Sequence, residues 1–394
     1  MQTNKFILEI PYGTRDFLPS EAAEKRAIEA GLAGVFARWG YDEVVTPTIE
    51  YLDTLTMGNG QALEPHMFKL FDKNNRTLAL RHEMTTPIAR VVASRLRDDV
   101  LPLKLSYISS VYRYEQTQTG RQCEFYQAGV ELIGSAEASA DAEVIALAIE
   151  GMKRAGLKDF QLCLGQVEFI NGLMQQFRLS ADVQEKIKGA LENRNLVGLE
   201  QIIQAAGLTK NAQDILQTLP LLHGREDMLK KAYTMAVNEQ SRRALDNLCE
   251  IYRLLQAYGV AEYVIFDLGV IRDINYYTGM VFEAYTPGLG FPLCGGGRYD
   301  HMLSDFGSAC PATGFALGIE RIMLALERQG LQKPQIEKDI FVAYDAGCQS
   351  TAIQRVQKLR QQGKTAELAL SSQSKEEAQK YQQEKGYTGL DYIS

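Results

Sequence analysis

The clearest structural signal in the chain is the segment SYISSVYRYEQTQTGRQCEFYQAGVELIG, Ser106–Gly134. In its last third the even positions are apolar or small, while Gln127 and Glu131 occupy odd positions. This alternation is typical of a strand that buries one face, because successive side chains point to opposite sides of a sheet. The polar connection 116–122 therefore predicts a hairpin with a long loop between two strands.

The polar face of this predicted hairpin is suited to a charged ligand. It carries Arg113, Gln127 and Glu131. An arginine can hold a carboxylate through two parallel hydrogen bonds, and a carboxylate can bind an ammonium group. The combination suits a zwitterion such as an amino acid, and the alternative interpretation is an ordinary solvated sheet face.

Helices and strands are predicted on both sides of the hairpin from the spacing of apolar residues. The expected helices before residue 171 cover 21–39, 87–97 and 138–155, and a strand is expected at 41–47. The pattern is helical throughout residues 171–258, and strand signals return at 263–266 and 281–285. These features predict an α+β fold in which a helical insertion interrupts a sheet-based domain.

Beyond Gly330 the pattern changes to short alternating strands and helices, which is typical of a small α/β unit. The expected strands cover 339–344, 366–370 and 390–393, and the expected helices cover 350–362 and 375–384. The predicted domain boundaries are 1–170 and 261–330 for the two parts of the sheet-based core, 171–260 for the helical insertion, and 331–394 for the C-terminal unit.

Composition limits the possible functions. The 394 residues carry a net charge of −7, which argues against a dedicated nucleic-acid coat, since such proteins neutralise phosphates. No apolar run approaches the roughly 18 residues of a membrane span, and Glu9 and Pro11 interrupt the N-terminus before a signal-peptide core could form. The six scattered cysteines and four histidines predict reduced thiols and no metal site. We therefore expect a soluble cytoplasmic protein.

Three further segments carry groups that could bind a ligand. Tyr276 and Tyr277 could contact an imidazole or an amide, or else be core rings. The glycines at 295–297 allow a ligand to approach the backbone closely, or form a tight strand connection. Arg321 lies near the start of a predicted helix, where a cation is disfavoured unless an anion, either a phosphate or an acidic side chain, is nearby.

In this order the segments resemble the three signature motifs of class II aminoacyl-tRNA synthetases, specifically the histidyl branch. The helix and strand ending at Pro47 resemble motif 1, the dimer-forming element, Tyr112–Phe125 resembles motif 2, and Gly314–Arg321 resembles motif 3. The resemblance covers residues of about 8–170 and 260–330. It implies an antiparallel sheet flanked by helices, with an inserted helical domain and a truncated anticodon-binding-like α/β domain at the C-terminus.

The resemblance also implies site residues. The positions that match the family's histidine pocket are Glu83, Thr85, Arg113, Gln127, Glu131, Arg272, Tyr276 and Tyr277. Arg121 and Arg321, together with Arg113, match positions that hold ATP phosphates, and we expect Arg121 and Arg321 to be vestigial. No catalytic residue, cofactor or metal ligand is expected.

Several positions depart from the synthetase pattern. His82 replaces an expected proline, and Gln116 and Cys123 replace expected basic residues of the motif 2 loop. Asp273 places a carboxylate beside Arg272, which would offset the positive field that a developing phosphoryl charge requires. The C-terminal unit is also shorter than the anticodon-binding domain of that family, so no tRNA is expected as a partner.

Other details resemble the regulatory subunits of ATP phosphoribosyltransferase, a family of synthetase paralogues. The segments that carry this resemblance are Ile10–Ala22, Thr86–Val92 and Tyr277–Tyr285. The resemblance implies a non-catalytic homodimer within a larger hetero-oligomer. Such a chain activates the short-form catalytic subunit and mediates feedback inhibition by histidine in the first step of histidine biosynthesis.

Two alternative functions remain at this level. The first is a histidyl-tRNA synthetase, which activates histidine with ATP and charges tRNA, because Glu83 and the arginines at 113, 121 and 321 are retained. The second is a structural protein that keeps the fold and binds no small molecule.

Overall fold

The computed structural model describes residues 8–57, 60–114, 122–269, 277–307, 309–331 and 338–394. These residues divide into two compact units, a larger one of residues 8–17 and 25–331 and a smaller one of residues 18–24 and 338–394. None of the helices within the described ranges is both long enough and apolar enough to cross a membrane.

The larger unit is built on a nine-stranded sheet. Its strands are β1 (Asp42–Glu43), β5 (Leu103–Tyr112), β6 (Glu124–Ile133), β7 (Gln161–Gln166), β8 (His223–Gly224), β9 (Val264–Asp267), β10 (Met280–Tyr285), β11 (Cys294–Arg298) and β12 (Ala312–Gly318). They lie in the order β1-β5-β6-β12-β11-β10-β7-β9-β8. A separate three-stranded sheet has the order β2-β4-β3 and consists of β2 (Ile49–Tyr51), β3 (Lys69–Phe71) and β4 (Thr77–Leu80).

The predicted hairpin is confirmed, with β5 and β6 paired in antiparallel register along ten residues each. The centre of the sheet, from β5 to β7, is antiparallel as predicted. The two flanking pairs, β1 with β5 and β7 with β9, are parallel, which the prediction of an antiparallel sheet missed. For β7 and β9 the reason is the long helical connection between them, since a crossover returns the chain in the same direction.

Helices surround the sheet and fill the segment between β7 and β9. In the larger unit they are α1 (Pro19–Arg38, whose first turn groups with the smaller unit), α2 (Leu52–Leu55), α3 (Gly60–Leu63), α4 (Thr85–Arg95), α5 (Ala138–Arg154), α6 (Val167–Gln176), α7 (Ala181–Glu192), α8 (Leu196–Ala205), α9 (Lys210–Thr218), α10 (Glu226–Met235), α11 (Glu239–Ala257) and α12 (Ile319–Arg328). Short 3-10 turns cover Glu64–His66, Leu219–Leu221, Ala261–Tyr263 and Met302–Phe306. The two-residue edge strand β8 interrupts the helical pattern that was predicted throughout residues 171–258. We propose that residues 171–260 form an insertion, because the rest of this segment lies outside the sheet, between the adjacent strands β7 and β9.

The two faces of the sheet bury different apolar clusters. The even positions of β6, including Ala128 and Val130, are buried with the apolar sides of α1 and α5 in the main core. The opposite face packs Tyr107 of β5 against Met84 and Ile88 at the start of α4. The candidate ligand site lies on this second face.

Two predicted elements differ from the observed ones. The strand expected at 41–47 is limited to β1, because the carbonyl oxygens of Thr46 and Pro47 accept hydrogen bonds from the Arg81 guanidinium, at 2.8 and 3.3 Å, instead of a neighbouring strand. Helix α4 begins two residues before the predicted 87–97, because the Glu83 carboxylate accepts hydrogen bonds from its first backbone N–H groups.

The smaller unit contains a three-stranded parallel sheet in the order β14-β13-β15. Its elements are β13 (Lys338–Tyr344), α13 (Gln349–Gln361), β14 (Ala366–Leu368), α14 (Lys375–Lys385) and β15 (Tyr387–Ile393). The predicted alternation of strands and helices is confirmed. Ser374 and Glu377 form a reciprocal capping box at the start of α14, which explains why this polar helix begins there.

Candidate functional site

The floor of the candidate site consists of strand residues with little or no side chain. Gly314 of β12 lies directly opposite Glu131 of β6 and Gly297 of β11. A Cβ atom at position 314 would lie 2.0 Å from Oε2 of Glu131, so only glycine leaves room for that carboxylate. The glycines at 295–297 thus belong to a central strand, β11, rather than to a tight connection. Gly297 lies on the same face of the sheet as Gly314, beneath the ring of Tyr277.

Glu131 is the most strongly perturbed acid of the site. It is buried, with 2% of its surface exposed, and its two oxygens accept hydrogen bonds from the hydroxyls of Thr85, at 2.8 Å, and Tyr299. Burial raises the pKa of Glu131 to about 8; the hydrogen bonds from Tyr299 and Thr85 act against this shift, and the nearby charge of Glu83 adds to it. Glu131 is therefore an acid that titrates near neutral pH.

Glu83 connects Glu131 to the N-terminus of α4. Its carboxylate accepts hydrogen bonds from the backbone N–H of Thr85, at 2.6 Å, and of Thr86, at 2.8 Å. A negative charge is stabilised at this end of a helix. Glu83 thus holds the turn that places the hydroxyl of Thr85 on Glu131.

Arg113 lies at the end of β5, beside the aromatic ring of Phe125. Its guanidinium carbon is 5.5 Å from the centre of that ring, a distance typical of a cation–π contact. Its Nε–H donates to the carbonyl oxygen of His82, at 2.9 Å, and its backbone N–H donates to the carbonyl oxygen of Cys123, at 2.8 Å. The side chain is therefore held near Glu83, the next residue after His82.

The imidazole of His82 is buried at the same place, with 3% of its residue surface exposed. Burial lowers the pKa of His82; the charge of Glu83 acts against this shift and that of Arg113 adds to it. His82 is therefore neutral at physiological pH, and the positive charge beside Glu83 comes from the Arg113 guanidinium.

Two tyrosines face the glycine floor. The ring of Tyr277 lies 2.6 Å from where a Cβ of Gly297 would be, and the hydroxyl of Tyr107 lies 2.5 Å from the corresponding point of Gly129. Tyr107 is fully buried. Burial raises the pKa of its hydroxyl, and the nearby charges of Glu131 and Glu83 add to this shift. The aromatic rings thus make contact with the backbone of the floor where side chains are missing.

The structure brings together six of the predicted pocket residues. Glu83, Thr85 and Glu131 form one hydrogen-bonded cluster, and Arg113 adjoins it through His82. Tyr277 lies on the glycine floor. Gln127 lies on the same face of β6 as Glu131, where it pairs with Ser109 of β5 and Gly318 of β12. Arg272, Tyr276 and Arg121 lie outside the described residues.

Arg321 is the third residue of α12, near its start as predicted. Its guanidinium donates a 2.7 Å hydrogen bond to the carbonyl oxygen of Pro292 and lies 5.3 Å from the centre of the Phe291 ring. A main-chain carbonyl therefore accepts one of the hydrogen bonds for which the sequence suggested an anion. Its assignment as a vestigial phosphate-binding residue stays a prediction.

Sequence reasoning missed Tyr299 and Tyr107 as members of the site. Tyr299 lies 168 residues from its partner Glu131, so no local pattern connects the two. The available signal was a tyrosine two residues after a run of glycines, which are residues that leave space for a neighbouring aromatic ring. Tyr107 occupies an odd position of the hairpin, on the face that Glu131 shares.

The fold and the site define a protein of the class II aminoacyl-tRNA synthetase type, of the histidyl kind. The sequence family described as histidyl-tRNA synthetase matches residues 13–322. A histidyl-tRNA synthetase structure from Nostoc sp. PCC 7120 superposes with a TM-score of 0.83 over 96% of this chain and 90% of that one, and at 21% identity it shows the fold alone.

Closer relatives place the chain within one branch of that class. It is 43% identical to the ATP phosphoribosyltransferase regulatory subunit of Moorella thermoacetica over 94% of each chain, and 38% identical to that of Acetivibrio thermocellus over 96% of this chain and 91% of the other. A crystal structure described as an ATP phosphoribosyltransferase regulatory subunit/histidyl-tRNA synthetase from Bacillus halodurans superposes with a TM-score of 0.89, at 36% identity and 99% coverage of both chains. The chain belongs to the family of ATP phosphoribosyltransferase regulatory subunits.

Proposed function

We propose that this chain is a non-catalytic subunit that binds and activates the short-form catalytic subunit of ATP phosphoribosyltransferase and mediates its feedback inhibition by histidine. Histidine biosynthesis begins with the reaction of that complex. The proposal rests on the family and on one observation in particular. The buried cluster of Glu83, Thr85 and Glu131, with Arg113 beside it, offers groups of both charges on one face of the sheet.

The groups present match the parts of a free amino acid. Arg113 or Arg272 is the candidate for the carboxylate, because a guanidinium forms two parallel hydrogen bonds with it. Glu83 and Glu131 are the candidates for the ammonium or the imidazole, since both are acceptors in a poorly solvated place. Tyr276 and Tyr277 would frame the ring. A regulator needs a coupling of only about 1–3 kcal/mol between this site and its partner.

We further propose that the chain forms a homodimer within a larger hetero-oligomer, without tRNA. The strand segment that resembles the dimer-forming motif, together with the small sheet next to it, exposes large apolar side chains. Val45 is 80% and Phe71 67% exposed, and Ile49 and Tyr51 are also exposed. Apolar surface of this kind marks protein interfaces. The proposed location is the cytoplasm, in keeping with six free thiols.

The test uses the purified chain with and without the catalytic subunit. Histidine is expected to raise the melting temperature of the chain, because a ligand of the native state stabilises it. The chain is expected to activate the catalytic subunit, and Glu131→Ala is expected to lower the sensitivity of the complex to histidine while activation is largely kept. Loss of activation with unchanged histidine sensitivity would show that the pocket is wrongly assigned.

The second candidate is a histidyl-tRNA synthetase. It is favoured by Arg113 and Arg321, which match positions that hold ATP phosphates in that family, and by Glu83, which is also retained. Histidine-dependent exchange between ATP and pyrophosphate separates the two functions. Exchange at a substantial rate would favour the synthetase, whereas stabilisation by histidine without exchange would favour the regulatory subunit.

A further inference from the structure

An N-terminal turn, Pro11–Thr14, lies against the loop end of the β5–β6 hairpin. The backbone N–H and the hydroxyl of Thr14 both donate to the carbonyl oxygen of Pro11, at 3.1 and 2.7 Å, and close the turn. The carbonyl oxygen of Gly13 accepts hydrogen bonds from the backbone N–H groups of Cys123, at 2.7 Å, and Glu124, at 3.3 Å. The turn is therefore hydrogen-bonded to the residues at which the chain enters β6.

This contact leaves no space for a side chain at position 13. Gly13 has a φ of +74°, which L-residues with a side chain rarely adopt. A Cβ atom there would lie 2.3 Å from Sγ of Cys123, whose residue surface is 1% exposed. Any other residue would have to move the turn away from Cys123.

A chain of hydrogen bonds continues from the turn to the candidate site. Cys123 donates its N–H to Gly13 and accepts the N–H of Arg113 on its carbonyl oxygen, at 2.8 Å. The Nε–H of Arg113 then donates to His82, at 2.9 Å. The backbone position of Arg113 is thus connected to the N-terminal turn through a single residue.

Aromatic and cation–π contacts also join the residues that follow the N-terminal turn to the start of β6. Phe17 meets Tyr126 edge to face, with 6.2 Å between ring centres, and the guanidinium carbon of Arg15 lies 4.4 Å from the centre of the Phe17 ring. Nζ of Lys25 lies 3.4 Å from the centre of the Tyr126 ring. Tyr126 stands between Phe125 and Gln127, which lie on the pocket face of β6. These contacts therefore fix the first residues of β6, the end that Gly13 also contacts.

We propose that Gly13 is a positioning residue for the ligand site. The turn Pro11–Thr14 fixes Arg113 through Cys123 and thereby sets the affinity for a ligand carboxylate, an assignment of Arg113 that rests on the proposed function.

The test compares Gly13→Ala with Gly259→Ala. Gly259 has a φ of +72° but no atom within 4 Å of its Cβ position, so its substitution introduces the same backbone strain without the contact. Binding of histidine and of histamine, which lacks the carboxylate, is measured for both variants and for Arg113→Ala. Gly13→Ala is expected to weaken histidine binding about tenfold, as for the loss of one charge-assisted hydrogen bond. Arg113→Ala removes both parallel hydrogen bonds and is expected to weaken it at least as much. Both variants are expected to leave histamine binding unchanged. Gly259→Ala is expected to change neither.

Hydrogen exchange at the amides of Arg113 and Cys123 gives a readout that does not depend on the ligand. Exchange at both is expected to be faster in Gly13→Ala and unchanged in Gly259→Ala. Equal losses of histidine and histamine affinity in Gly13→Ala, or unchanged exchange at Cys123, would overturn the positioning role. If the wild-type chain binds no histidine, the proposed function fails. If Arg113→Ala binds histidine normally, the carboxylate is bound by another residue and the assignment of Arg113 fails. In both cases the exchange measurement alone still shows whether the turn holds Arg113.

Discussion

The pKa of Glu131 makes histidine binding depend on pH in a way that can be calculated. With a pKa of about 8, this acid carries a proton in about nine of ten molecules at pH 7. A cationic group of the ligand requires the carboxylate form. Binding at pH 7 should therefore release about 0.9 proton per histidine, and the dissociation constant should rise about tenfold for each pH unit below 8.

The assay is isothermal titration calorimetry at pH 7 in buffers of different ionisation enthalpy, which counts the protons released. Glu131→Gln is the matched control, because the amide keeps an acceptor for Thr85 but cannot titrate. We expect weaker binding and no proton release from this variant, and the ratio of the two dissociation constants cancels the titration of histidine itself. Equal proton release from wild type and Glu131→Gln, or none from a wild type that binds, would refute the role of Glu131 as the acceptor of a cation.

The same pKa has a consequence for stability without any ligand. The unfolded carboxyl binds no proton above its ordinary pKa of 4.5, whereas the folded one keeps its proton up to about pH 8. Folding therefore takes up a proton within this window, and the stability of the wild type falls relative to Glu131→Gln by about 1.4 kcal/mol per pH unit as the pH rises. Thermal unfolding of both proteins at pH 5 and pH 8 measures the difference, and parallel curves would contradict the buried, protonated acid.

Further substitutions test individual contacts by chemical unfolding and histidine binding. Tyr299→Phe removes a buried hydroxyl donor to Glu131 and should lower the free energy of unfolding by about 1–3 kcal/mol. It should also weaken histidine binding; an unchanged affinity would place Tyr299 outside the site. Gly314→Ala forces a methyl group against the carboxylate and should cost about 1–3 kcal/mol, whereas Gly189→Ala, in the open interior of α7, should gain about 0.5–1 kcal/mol. Asp141→Ala leaves its arginine partner buried without this ion pair and should cost about 3–5 kcal/mol; a loss below 1 kcal/mol would show that water reaches the pair.

Much of the fold follows from local patterns of the sequence. The alternation in β6 predicted both the hairpin and its polar face, and the apolar spacing of α5 predicted a helix at 138–155, where Ala138–Arg154 is observed. These predictions succeed because side-chain period distinguishes strands from helices over a few residues. The shortened β1 and the early start of α4 could not be predicted in the same way, since each depends on a buried charged side chain, Arg81 or Glu83, that bonds to the backbone of a neighbouring segment.

The amino-acid sequence by itself determined the alternating strands, the helical segment between them, the glycines of the floor and the residue types of the pocket. The register of the three neighbouring strands β6, β12 and β11 placed Gly314 opposite Glu131, and it brought Tyr299 within hydrogen-bonding distance of an acid 168 residues away. The pKa of that acid is likewise a tertiary property. It results from burial and from partners on separate elements, and burial removes the water that would otherwise stabilise the charge.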